Sequence, residues 1–193
     1  MTATLVLASG SPYRRMLLQR LGVPFCVAEA AIDETPTPGE SPARMVARLA
    51  EAKAQAVAGQ YPGCMVLGAD QALSLDGAAV GKPGDAARAR GQLQACSGRA
   101  VTVCTGFCLL SARGAVAATG MTPTEVVFRR LNAEEIRRYV NQEQPLDCAG
   151  SFKVEGLGIS LFSRVTSDDP TALIGLPLLE VSAALRELGI ALP

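Results

Sequence analysis

Histidine is absent from the 193 residues, and no other omission excludes as much chemistry. Without an imidazole there is no Ser-His-Asp or Cys-His nucleophile and no histidine metal ligand. Acid–base work therefore falls to carboxylates, lysine, tyrosine or cysteine, and a metal would sit most naturally on oxygen ligands as a hard cation. Excess charge is missing too: 18 basic side chains balance 18 acidic ones. Proteins that coat nucleic acid or anionic lipid carry surplus Lys and Arg, so an anion site here must be local and sized for a small ligand, with no nucleic-acid polymer expected. No apolar run approaches the roughly 18 residues of a membrane span. The first residues, Met-Thr-Ala-Thr-Leu-Val-Leu-Ala-Ser, lack a basic region, so neither a secretory signal nor a membrane is expected, and the cytoplasm is. None of the six cysteines forms a CxxC pair. Cys104 and Cys108 share strand parity and read as small core residues in a reducing compartment.

What is present is an apolar fraction of 49%, too high for a disordered chain, in a length suited to a single domain spanning 1–193. Apolar runs alternate with helical patterns and predict an α/β fold: a mixed sheet flanked by helices. A buried strand is expected at Thr4–Ala8, then a helix opened by Ser11-Pro12 and closed at Gly22. An acidic, Pro-rich loop fills 33–40, and a second helix runs from Pro42 to about Ala58 before Gly59. Cys64–Ala69 predicts a strand ending at Asp70, with 71–75 and 78–80 forming a hairpin about Asp76-Gly77. A helix is expected over about 85–96, long strands near 100–111 and 115–129, and a short helix to about Val140 behind Asn132 and Glu135. The stretch 150–162 reads as Gly-interrupted extended chain. A last helix opens at Pro177 and ends near Leu188-Gly189, its apolar residues Val181, Leu185 and Leu188 read as core.

Two cations lie on the wrong faces of their helices. At about 100° per residue, Leu17, Leu18 and Leu21 define the buried stripe of the first helix, and Arg14 falls inside it. Such an arginine is costly unless it meets an anion. Its setting, strand then Ser9-Gly10-Ser11-Pro12 then helix, offers free backbone N–H groups and the positive end of a helix to a phosphate. The ordinary alternatives are a structural carboxylate or snorkelling. In the second helix Lys53 sits centrally among Val46, Leu49, Ala50 and Val57, while Arg44 and Arg48 lie opposite. Asp70 closes an apolar strand where α/β proteins place ligand-contacting groups, although a turn-starting Asp is common. Gly68 allows a ligand or backbone to approach. Glu34 reads by itself as a solvated loop acid, and Lys82 lies between Gly81 and Pro83. Gly77–Lys82 is one residue short of a phosphate-binding P-loop, and Gly156-Leu-Gly158 lacks the third glycine of a dinucleotide fingerprint.

Leu7-Ala-Ser-Gly-Ser-Pro-Tyr-Arg-Arg-Met-Leu-Leu18 resembles the signature of the Maf-type nucleoside triphosphate pyrophosphatases. Asp33-Glu34-Thr-Pro, the Lys53 helix, Gly-Ala-Asp70-Gln71, Gly81-Lys82-Pro83, Ser97-Gly98-Arg99 with Thr105-Gly106, and Gly175-Leu-Pro177 extend the resemblance nearly end to end. Asp147-Cys-Ala-Gly-Ser-Phe-Lys-Val-Glu155 is similar to the branch acting on 7-methyl-GTP. Tyr13 stands where the commoner form has arginine, and an aromatic there suits that branch. The resemblance implies a long mixed sheet with a nucleotide cleft between two lobes, of the inosine-triphosphatase type. It also implies a divalent metal, often a homodimer, and hydrolysis between the α- and β-phosphates. It makes Asp70 the proton acceptor, and Tyr13, Gln71 and Glu155 the residues that set base specificity. The expected site therefore has Asp70, Glu34, Lys53 and Lys82 as its catalytic groups. Ser9, Arg14, Tyr13, Gln71 and Glu155 bind substrate, and magnesium or manganese lies on Glu34 and Asp70. A sibling-branch enzyme acting on dTTP and UTP, and a non-catalytic nucleotide-binding regulator of septum formation, are the alternatives.

Overall fold

The structure is a computed structural model, and residues 5–193 are described. Among the described residues seven strands form one mixed sheet: β1 (Leu5–Ala8), β2 (Phe25–Val27), β3 (Met65–Leu75), β4 (Ala78–Val80), β5 (Ala100–Leu110), β6 (Val116–Phe128) and β7 (Phe162–Ser167). The spatial order is β2-β1-β3-β5-β6-β7, with β4 paired to β3. Strands β2, β1 and β3 run parallel, and β3, β5, β6 and β7 pair antiparallel. The flanking helices are α1 (Pro12–Gln19), α2 (Pro42–Ala58), α3 (Ala86–Cys96), α4 (Ala133–Glu143) and α5 (Leu178–Glu187). The expected α/β class and mixed sheet are both found. Among the described residues no helix is long and apolar enough to cross a membrane.

Local sequence explains most of these boundaries. Ser11 and Ser41 cap α1 and α2, each hydroxyl accepting from the third following backbone N–H ahead of a proline in the first turn. Asn132 and Glu135 form a reciprocal capping box at α4, which runs to Glu143, a turn beyond the expected Val140. The hairpin about Asp76-Gly77 is present, with Leu75 opposite Ala78.

Three expectations are corrected, and a fourth is untested. Thr4, the expected start of β1, lies outside the described residues. Asp70 does not end a strand: β3 continues through it to Leu75, because β5 pairs with it from Val66 to Ser74 after β1 has stopped at Gly68. The stretch 150–162 is not extended but folds into 3-10 turns at Ala149–Ser151 and Leu157–Leu161. Neither β2 nor β7 was expected, because β2 is three residues long and β7 is mostly exposed, leaving too little alternation to register.

The three long strands β3, β5 and β6 run through two lobes. At one end, α2 covers one face through Val46, Ala50 and Ala54, and α1 and α5 cover the other through Leu17, Leu18, Val181 and Leu185. At the other end, α3 and α4 pack on Leu73, Val103, Val126 and Phe128. Cys104 and Cys108 both face α2 and are buried, and burial pushes both thiols up, Cys108 to about 11.

Two glycines let α2 lie on the sheet. A Cβ on Gly68 would fall 2.1 Å from the Ala50 carbonyl oxygen, and one on Gly106 would fall 2.9 Å from that of Val46. The backbone that Gly68 admits is therefore that of α2. Gly68→Ala should lower stability by about 3 kcal/mol or more, the upper range for overpacking against unyielding backbone. Gly59→Ala, where nothing lies within 4 Å, should leave the urea midpoint nearly unchanged. Equal midpoints for the two variants would show that the close approach does not constrain the fold.

Candidate active site

The edge of β3 that pairs with β1 as far as Gly68 pairs with β4 only from Leu73 onward. Between them it is open, and a cleft of about 640 Å³ lies there. Asp70 and Gln71 point to opposite faces of the sheet, as neighbours on a strand must, yet both line this cleft because it wraps the open edge. The position also follows the rule for α/β sheets. The chain leaves β1 through Ser9 and Gly10 into the start of α1, beside the point where β1 and β3 diverge.

On the α2 face, Lys53 is 6% exposed, and its Nζ donates to Asp70 Oδ1 at 2.6 Å and pairs with Glu34 Oε1 at 2.7 Å. The apolar stripe of α2 thus delivers a cation to two carboxylates. Burial pushes the Glu34 carboxyl up, but the hydrogen bond and charge of Lys53, with Lys82 and Arg14, hold it below its ordinary range overall. The acidic loop is fastened to α2 and is not merely solvated. Arg48 grips Glu40 through Nε at 2.7 Å and a terminal nitrogen at 2.6 Å, and reaches the Thr35 carbonyl.

Arg14 neither pairs with a carboxylate among the described residues nor snorkels. It is half-buried, its Nε donates to the Gly175 carbonyl at 3.0 Å, and a terminal nitrogen donates to Ser9 Oγ at 3.2 Å. Burial pulls the guanidinium down while Asp70 and Glu34 oppose the pull. Two of its five N–H groups are committed to these contacts, so its orientation is fixed with donors to spare. Lys82 lines the cleft from the segment joining β4 to α3, where Gln92 Nε2 holds the Gly81 carbonyl at 3.2 Å.

Tyr13, Gln71 and Glu155 line the same cleft. Burial, with Cys148 and Asp147, raises the Tyr13 phenol to about 12 against the opposing pull of Lys153. Glu155 is open to water yet set in a concave wall. Desolvation pushes its carboxyl up, and Glu143 and Asp147 act in the same sense. Lys153 lies 3.6 Å from Asp147 and against the carbonyls of residues 143 and 144. All nine expected site residues therefore border one cavity. Sequence reading missed Glu29, Asp147 and Phe152, which also border it. Glu29 follows β2, a strand too short to place it, Asp147 lies in the turn after α4, and Phe152 lies where extended chain was expected.

A turn on the far side holds several of these groups. Asp169, 2% exposed, accepts from the Thr171 N–H and hydroxyl at 2.8 and 2.6 Å and from the Leu179 N–H at 2.7 Å. This fixes 169–179 so that the Gly175 carbonyl meets Arg14, and those of Ala172 and Leu173 meet Gln71.

The two carboxylates that meet the Lys53 ammonium are both hard oxygen donors. Among the described residues no cluster of three or more acidic or cysteine ligands occurs. That set does not make an all-protein cage, but it fits a magnesium-type ion, which takes one or two carboxylates and completes its shell with phosphate and water.

A profile of the family described as Maf-like protein matches residues 4–188. A 7-methyl-GTP pyrophosphatase of Cupriavidus metallidurans is 51% identical over 185 residues, covering 96% of this chain and 93% of that one. The proteins of the same name from Xanthomonas oryzae and Pseudomonas aeruginosa are 50% and 49% identical, covering 100% and 98% of both chains. A solved HAM1 protein from Coxiella burnetii superposes with a TM-score of 0.49 at 22% identity, covering 67% of this chain and 75% of that one.

The clamp on the acidic loop has a pH signature. Arg48 holds the Glu40 carboxyl at about 2, below its ordinary 4.5, so between these values the unfolded chain binds more protons than the folded one. Stability should rise with pH across that window and be lost as pH falls from about 4.5 toward 2. Urea midpoints measured at pH 6 and pH 3 should show a smaller acid loss in Glu40→Gln than in the wild type. Equal losses would remove the clamp from the account.

Proposed function

The chain belongs to the family of Maf-like proteins, and on that premise we propose that it hydrolyses 7-methyl-GTP between the α- and β-phosphates, releasing 7-methyl-GMP and pyrophosphate. The observation that carries this reading is the buried Lys53 between Asp70 and Glu34 in a cleft also bordered by Arg14 and Lys82. Such a set of cations and carboxylates suits a polyanion that must be both held and attacked.

Arg14, fixed by Gly175 and Ser9, directs its free N–H groups at phosphate oxygens. Lys82 adds charge from the other wall, and the backbone N–H groups around Ser9–Arg14 contribute the positive end of α1. Lys53 holds Asp70 through Oδ1, which leaves Oδ2 to take the proton of a water attacking the α-phosphorus. A divalent cation such as magnesium or manganese, held by Asp70 and Glu34, would neutralise charge on the phosphates. Positioning and charge neutralisation then supply most of the catalysis, as phosphoryl transfer allows.

Methylation at N7 makes guanine cationic. The face of Tyr13 and the carboxylate of Glu155 favour such a base over its neutral parent, and the aromatic contact contributes about 0.5–2 kcal/mol. The names of the three relatives support this substrate for the present chain.

Pyrophosphate release with magnesium should be fastest on 7-methyl-GTP among 7-methyl-GTP, GTP, dTTP and UTP. Asp70→Asn should lower the rate about a hundredfold or more. Glu155→Ala should narrow the preference over GTP. Faster release from dTTP and UTP would replace the substrate and keep the chemistry. Nucleotide binding without release from any of the four would make the protein a nucleotide-binding regulator and end the mechanism.

A further inference from the structure

The amide of Gln71 is held in one orientation by chemistry alone. Its Nε2 donates to Thr105 Oγ1 at 3.0 Å, the Ala172 carbonyl at 2.9 Å and the Leu173 carbonyl at 3.1 Å. Two of these partners are carbonyl oxygens, which only accept. The third, the fully buried Thr105 hydroxyl, spends its proton on the Ala172 carbonyl at 2.8 Å and so presents only lone pairs to Gln71. Rotating the amide by half a turn would set Oε1 against three acceptors, so the NH2 stays inward. Among the described residues no donor meets Oε1, and Gln71 borders the cleft. The cleft therefore receives a fixed acceptor at this position.

Thr105 also closes the arrangement. It stands directly opposite Gln71 in the β3–β5 ladder, and its bond to Ala172 ties the turn at Ala172–Ile174 to the sheet. Without that hydroxyl, Gln71 would be held only by two carbonyls of a turn no longer fastened to β5 at this point.

We propose that Thr105 is a positioning residue for base selection: it locks the Gln71 amide so that Oε1 reads a hydrogen-bond donor on the base edge. The Watson–Crick edge of guanine offers N1–H and the 2-amino group as adjacent donors. At those two positions adenine offers no donor: its N1 is a bare acceptor that a fixed Oε1 repels, its C2 carries only hydrogen, and its amino group lies at C6, where guanine has its carbonyl. The selection operates on the base edge, independently of the N7 methyl group, and it rests on the cleft being the nucleoside triphosphate site proposed above.

The test compares kcat/KM for pyrophosphate release from GTP and from ATP, both unmethylated, in the wild type, Thr105→Val, Thr105→Ser and Gln71→Leu. The wild type should favour GTP by at least about tenfold. Thr105→Val should reduce that ratio by about fivefold or more, mainly through KM for GTP, and Thr105→Ser should restore it, because serine keeps both the donated and the accepted bond. Gln71→Leu, which removes the acceptor and leaves Thr105 on Ala172, should also reduce the ratio and decides the matter if Thr105→Val does not fold. An unchanged ratio in Thr105→Val or Gln71→Leu, with an active wild type, overturns the proposal and leaves the proposed reaction standing. No release by the wild type from GTP, ATP or 7-methyl-GTP overturns the reaction itself, and the proposal with it.

Discussion

The ammonium of Lys53 lies on the apolar stripe of α2, and it stays there because Asp70 meets it at 2.6 Å and Glu34 at 2.7 Å. A lone buried charge would cost several kcal/mol, so each partner holds the others in place. That contact exists only because α2 lies on the sheet at the distance that Gly68 and Gly106 permit. It also needs the acidic loop, which Arg48 pins through Glu40 so that Glu34 arrives from the outside. Packing, loop geometry and the charge arrangement of the cleft are thus one constraint seen at three scales.

A second constraint acts from the opposite face of the sheet. Asp169 is buried among backbone N–H groups and a hydroxyl that it satisfies, and the turn it holds exports three carbonyls toward the cleft. One fixes Arg14 and two fix Gln71. The same peptide groups that close the core therefore orient a cation and an amide. Both faces of β3 contribute, because the gap between its pairing with β1 and with β4 opens the strand edge to the cleft.

Much of this was legible in the chain. Arg14 and Lys53 were conspicuous because helical periodicity put charge where apolar residues belonged, and both proved to border the cleft. The caps at Ser11, Ser41 and Asn132 and the Asp76-Gly77 turn were local signals and were found where expected. The apolar run that stops at Asp70 has the look of a strand end, whereas β3 passes through Asp70 and only its pairing with β1 ends nearby. Glu29 carried no signal at all, since β2 is three residues long and draws its identity from β1.

The sequence by itself determined that the chemistry runs without histidine, that an anion site would be local, and which helices carry misplaced cations. These follow from composition and from periods of 3.6 and 2, which each segment expresses without its neighbours. Only the tertiary structure decided who meets those groups. Lys53 finds carboxylates 17 residues along the chain and in a separate loop, and Gln71 finds carbonyls 101 and 102 residues away. Hydrogen bonds between residues so far apart leave no period in the sequence. They arise when strand register and helix packing bring an acceptor within 3 Å of a donor, and that distance is a property of the assembled fold.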